Sequence, residues 1–236
     1  MTKQTMDGSI NKTARVAGLL YLLLVPLGIF GILYGPSVVP GDAAATASNI
    51  LASESQFRLG IVSALLVQIV NIFVVLTLYK LLQPVNKTMA TLMVIFILLG
   101  TPIAMLNELN QFAVLLLLHG AGALAAFSTD QLQALVPFFL DLHDLGISIA
   151  SVFWGLWLFP MGYLVFKSGF LPRILGILLM IGCFGYLIDS FAAFLLPNAN
   201  VQIAPFTFWG EVLLPLWLLV KGVNVEQWKK WALEPA

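Results

Sequence analysis

Five acids and one histidine stand where so apolar a chain should carry no charge. Glu108 sits in Asn107-Glu108-Leu109-Asn110-Gln111, Asp141, His143 and Asp144 share one short segment, and Asp189 and Glu211 lie inside apolar runs. Ionisable side chains within spans are costly, and they normally face a cavity, a partner or a ligand path. On a helical wheel, Asp141, Asp144, Ser148, Ser151 and Gly155 fall on one narrow face, and His143 points away from it. Asn107, Asn110 and Gln111 share a face with Gly100 and Ala104, with Glu108 at its edge. Gly182, Gly185, Asp189 and Ala192 make a small-residue face that permits close helix approach.

The chemistry open to such a set is ion, proton or small-ligand binding. Carboxylates gathered in a low-dielectric site resist being ionised together. Arg58 is the natural counter-ion for Glu211 or Asp189, or else an interfacial cation on a flexible stem. A membrane-embedded metal hydrolase would use His143 with carboxylates. Zinc, however, takes about three ligands from His, Cys or carboxylate, and the chain holds 2 histidines, His119 and His143, and 1 cysteine, Cys183. No metal is therefore assigned and no residue is given a catalytic role. The serines lack a G-x-S-x-G setting, and there is no P-loop or dinucleotide fingerprint, so no cofactor is expected. The bland alternative is that these polar groups only hydrogen-bond neighbouring helices in a non-catalytic accessory protein.

Composition decides the class. Of 236 residues, 60% are hydrophobic and 9% charged, against roughly 25% charged in a soluble domain. So few charges cannot solvate a water-soluble surface. The expected partner is the lipid bilayer, with a small molecule or ion as ligand. No basic patch suggests nucleic acid. Cys183 has no second cysteine to form a disulfide with.

Six apolar spans position these groups, giving an all-α polytopic membrane helix bundle. Residues 1–13 form a polar tail, 14–222 the six-helix domain and 223–236 a second tail. The first span, Val16 to Tyr34, is longer than the roughly 7–15 apolar residues of a signal peptide, so a retained helix is favoured over a cleaved one. Ala43 to Ser53 reads as a short surface helix. The second span runs from about Arg58 to Leu82. The third starts at Met89, passes Gly100-Thr101-Pro102, a predicted kink, and continues toward Phe127. Ser128-Thr129-Asp130-Gln131 is a capping box opening the fourth. These two form a long hairpin that projects outward near Ser128 or breaks at Gly120, Gly122 and Pro137. The fifth span, Leu171 to Leu196, ends at Pro197-Asn198. The sixth runs from Pro205 to Val220, before a tail whose Trp228 and Trp231 suit a membrane interface. Glu108, Asp144 and Asp189 then lie at similar depth near the outer boundary, with Glu211 deeper, and one outward-facing polar cavity would collect them.

The segment from Asp141 to Leu196 resembles a family of bacterial membrane proteins known as domain of unknown function 4386. The likeness is carried by Leu142-His143-Asp144-Leu145-Gly146, Gly162-Tyr163-Leu164 and Ser168-Gly169-Phe170-Leu171-Pro172-Arg173-Ile174-Leu175-Gly176. Gly185-Tyr186-Leu187-Ile188-Asp189, Leu195-Leu196-Pro197, Asn107-Glu108 and Ala17-Gly18-Leu19-Leu20-Tyr21 extend it. The resemblance implies a multi-pass protein of the bacterial inner membrane and no particular activity.

With six spans, every lysine and arginine except Arg58 falls on the side of the termini, so both termini are expected in the cytoplasm. Single cysteines in a Cys183→Ser background test this. Those near Asp42, Asp130 and Asn198 should label from outside intact cells, and those near Asn86 and Lys229 should not.

Overall fold

The computed structural model describes residues 3–120, 122–196, 199 and 201–233; Pro197, Asn198 and Glu234 lie outside them. Among the described residues the regular structure is all helical. In chain order come α1 (Lys3–Leu33), α2 (Ala43–Ala52), α3 (Glu54–Leu82), α4 (Lys87–His119) and α5 (Thr129–Leu156). After these come α6 (Leu158–Ser168), α7 (Arg173–Leu195), α8 (Ala204–Thr207), α9 (Trp209–Val220) and α10 (Val225–Leu233). Five stretches are long and apolar enough to cross a membrane, and a sixth qualifies if Ala204–Val220 and the following helix, bent by 100°, count as one.

Local chemistry sets the helix ends. The Asp42 carboxylate accepts the Ala45 N–H at 2.8 Å and starts α2. At Ser128 the capping box forms as expected: Ser128 N–H donates to Gln131 Oε1 at 2.9 Å, and Gln131 N–H donates to Ser128 Oγ at 3.3 Å. Three expectations change. The polar start is helical from Lys3, so α1 extends the first span backward. The third span ends at His119, where Gly120 takes φ +56° and Gly122 φ +65°, and a 3-10 turn follows over Gly122–Ala126. Pro137 sits inside an unbroken α5, and the break falls instead at Trp157. Even so, α4 has 33 residues, about 50 Å at roughly 1.5 Å each, against a bilayer core of about 30 Å.

The chain divides into two compact units whose boundaries fall inside helices. One comprises the residues up to Leu24, Ile69–Thr101 and Ser148 onward; the other comprises Val25–Gln68 and Pro102–Ile147. Each has its own core. The first gathers Leu78, Leu82, Met93, Ile97, Met161, Leu164 and Leu179, all buried. The second gathers Ile50, Phe57, Ile61, Val114, Val136 and Leu140.

In the first unit, α6 and α7 approach to backbone contact. A Cβ on Gly176 would lie 2.6 Å from Phe166 N, and one on Gly162 would lie 2.6 Å from Gly176 O. The Ser168-to-Gly176 motif builds the turn between them. Gly169 adopts φ +67° after Ser168 ends α6, and Pro172 precedes the first residue of α7. Ser168 Oγ donates to Val165 O at 2.8 Å and accepts Leu171 N–H at 3.3 Å. The tail helix then locks this end. Trp231 Nε1–H donates to Ser168 O and Trp228 Nε1–H to Leu81 O, each at 2.8 Å, so the tryptophans close the carbonyl ends of α6 and α3.

The glycine contact predicts that Gly176→Ala destabilises the purified protein by about 1–3 kcal/mol through overpacking against backbone. Gly28→Ala should be neutral or stabilising, since a Cβ at Gly28 meets nothing within 4 Å. Thermal unfolding in detergent compares the two.

Candidate functional site

Two polar clusters lie within the apolar helices, one in each unit. The first joins α4 to α5. Asn107 Nδ2–H donates to the His143 backbone carbonyl at 2.8 Å, and Asn110 Nδ2–H donates to Asn107 Oδ1 at 2.9 Å. Gly146, nearly one turn beyond His143, leaves room for this; any Cβ there would overlap the Asn107 amide. The His143 ring is thereby fixed between α4 side chains. Its Nε2 lies 2.9 Å from Gln111 Nε2 and 3.3 Å from Glu108 Oε1. Its Nδ1 lies 3.7 Å from Asp144 Oδ1. The Glu108 side chain is 4% exposed and that of His143 15%. Glu108 Oε2 is buried and has no hydrogen-bond partner among the described residues. Asp144, by contrast, is 86% exposed.

The second cluster belongs to the other unit. Glu211, in the first turn of α9, accepts the Tyr21 hydroxyl at 3.2 Å, with Tyr186 near it. A carboxylate in the first turn also meets the positive end of the helix dipole. Tyr21 is wedged against Trp157, with ring centroids 5.7 Å apart. Glu211 Oε1 is buried without a partner among the described residues. Beside it, Asp189 Oδ1 accepts the Ile203 N–H at 2.6 Å and Oδ2 the Ala204 N–H at 2.8 Å, holding the start of α8. A cavity of about 380 Å³ opens here, lined by Ser148, Ser151, Tyr186, Asp189, Ser190 and Gln202 among others. Ser190 Oγ is buried without a partner among the described residues.

The expected residues thus fall into separate settings. Asn107, Glu108, Asn110, Gln111 and His143 come together, and it is His143, not the aspartates beside it, that faces the polar side of α4. Asp141 is exposed. Asp144 is exposed on α5, while Ser148 and Ser151, farther along the same helix, line the cavity. Arg58, expected to neutralise Glu211 or Asp189, pairs at 2.7 Å with Glu54, which His119 also approaches at 3.2 Å. Glu211 takes a tyrosine hydroxyl on one oxygen and Asp189 is met by backbone N–H groups. Among the described residues no group of three or more His, Cys, Asp or Glu side chains is arranged to hold a metal ion. Tyr21 and Tyr186 were missed, although a tyrosine inside a span needs a partner for its hydroxyl.

Tyr21→Phe should therefore destabilise by about 1–3 kcal/mol, because it strands a buried carboxylate oxygen. Glu211→Gln, which keeps shape and an acceptor, should cost less. Unfolding midpoints of the two variants in the same detergent check the order.

Comparison with known proteins places this arrangement in a family. The chain is 34% identical over 167 residues to an uncharacterised protein of Archaeoglobus fulgidus, a match covering 71% of this chain and 86% of the relative. No solved structure matches the chain. The family model described as domain of unknown function (DUF4386) matches residues 16–222. The chain, an apolar all-helical protein with a histidine–glutamate pair and a tyrosine-bound glutamate inside its helices, belongs to the DUF4386 family.

Proposed function

We propose that the protein is a six-span resident of a prokaryotic cytoplasmic membrane, with both termini inside, and that it binds a small polar solute in a non-enzymatic binding or transport role. The cavity beside Asp189 carries this reading. It measures about 380 Å³, within the range of small-ligand sites. Hydroxyls, a carboxylate and an amide line it, and Ser190 Oγ sits in its wall without a partner among the described residues. A buried hydroxyl left unpaired costs about 1–3 kcal/mol, which a hydrogen-bonding ligand would recover. Asp189 lies roughly 24 Å along α7 from Arg173. With Arg173 on the cytoplasmic side by the positive-inside rule, the cavity faces outward.

Thermal stabilisation of the purified protein by amino acids, short dicarboxylates, polyols and monovalent cations tests the proposal. One class should stabilise in a concentration-dependent manner, approaching about 2.7 kcal/mol at a hundredfold excess over Kd. Ala193→Trp, which places an indole in the cavity wall, should abolish that response while the fold persists. If no class stabilises, or if Ala193→Trp responds like the parent, the lining residues are interhelical glue and the binding role falls.

A further inference from the structure

The α4–α5 cluster uses other residues than the cavity and stands whether or not the cavity binds a solute. Its geometry contains a conflict. Gln111 Nε2 is a donor and meets His143 Nε2 at 2.9 Å, while Glu108 Oε1 meets the same nitrogen at 3.3 Å. One ring nitrogen cannot accept from an amide N–H and donate to a carboxylate at once. Two protonation arrangements resolve this. With a proton on His143 Nε2, the ring donates to the Glu108 carboxylate and the Gln111 amide must turn its oxygen inward. With Nε2 bare, it accepts the Gln111 N–H, and Glu108 holds the proton. Gln111 is thus compatible with either arrangement through a rotation of its amide.

The other ring nitrogen faces outward. His143 Nδ1 lies 3.7 Å from the exposed carboxylate of Asp144, a gap that one water or a small rotation closes. Of the charged groups described in this unit, Glu108 and Asp144 act on the ring. Glu54, Arg58 and His119 are engaged with one another, and Asp141 is exposed on the same helix.

We infer that Asp144, His143 and Glu108 form a proton relay from the protein surface to a buried carboxylate. The Asp144 carboxylic acid gives its proton to Nδ1, and its O–H bond breaks as the N–H bond forms. The resulting imidazolium gives its Nε2 proton to a Glu108 carboxylate oxygen. The ring is left neutral with its proton on Nδ1, and Nε2 then takes the Gln111 N–H. Charge is conserved: Asp144 becomes the carboxylate and Glu108 the acid. Glu108 Oε2, buried and without a partner among the described residues, is where the proton can be held or passed on. Asn107 and Gly146 are positioning residues that keep the ring between the two acids.

Infrared difference spectroscopy of the full chain in lipid vesicles after a pH jump tests the relay, with Glu108→Gln identifying the band of the protonated Glu108 carboxyl. The parent should show that band appear on acidification. Asp144→Asn changes only an exposed side chain and keeps the fold. It should retain the final amplitude and slow its appearance by at least about a hundredfold, the lower end of what a positioned proton-transfer group contributes. His143→Gln should slow it too. A purely structural role predicts no change of rate in Asp144→Asn. No Glu108 band in the parent, or parental rates in Asp144→Asn, overturns the relay.

Discussion

The backbone contact between α6 and α7 is the constraint on which the rest of the larger unit depends. In lipid, apolar surface gains little by leaving one hydrocarbon environment for another, so helices associate through close packing and polar contacts. Gly162 and Gly176 bring two backbones to a separation that no side chain permits. Gly210 does the same for α9, where a Cβ would lie 2.6 Å from Leu179 N. Once α6, α7 and α9 are held this closely, the start of α8 falls within reach of Asp189, and Glu211 falls between Tyr21 and Tyr186. The cavity lies between α5, α7 and the start of α8.

The same packing explains how the buried acids are tolerated. Neither Glu108 nor Glu211 has a lysine or arginine partner among the described ion pairs. Each is met by a neutral or proton-exchanging group: an imidazole for Glu108, a phenol for Glu211. A guanidinium would neutralise a carboxylate permanently and bring its own desolvation cost. An imidazole or a phenol leaves the proton inventory adjustable. The orphan oxygens at Glu108 Oε2 and Glu211 Oε1 lie buried with no cationic partner among the described ion pairs.

The Ser168-to-Gly176 segment is explained by architecture. In Ser168-Gly169-Phe170-Leu171-Pro172-Arg173-Ile174-Leu175-Gly176, Gly169 supplies a left-handed turn, Pro172 precedes α7, and Gly176 supplies the close approach. Ser168 ties the turn through its hydroxyl and offers its carbonyl to Trp231. Likewise Gly146 in the Leu142-to-Gly146 motif makes room for Asn107. Small residues recur here because two backbones, or a backbone and an amide, must nearly touch.

What the sequence determined by itself follows from local physics. Low charge and long apolar runs set the membrane class. The Asp42 cap and the Ser128 box set helix starts, because a cap acts within one turn. The cluster of Asn107, Asn110 and Gln111 was legible as a polar face, because helical periodicity alone places it. What only the tertiary structure decided was which face of each helix meets a neighbour. On α5 the polar stripe through Asp141 and Asp144 suggested the functional side. The buried residues instead run Leu132, Val136, Leu140 and Ala150, and His143 continues that apolar line. Burial followed the apolar periodicity and carried the histidine inward with it. The tyrosines at Glu211 and the break at Trp157 were likewise out of reach. The Arg58–Glu54 pair, by contrast, lies four residues apart on one helix and was open to a local reading that the expectation of a distant counter-ion passed over. The tyrosines depend on distances between segments far apart in the chain, which packing sets and local sequence does not encode.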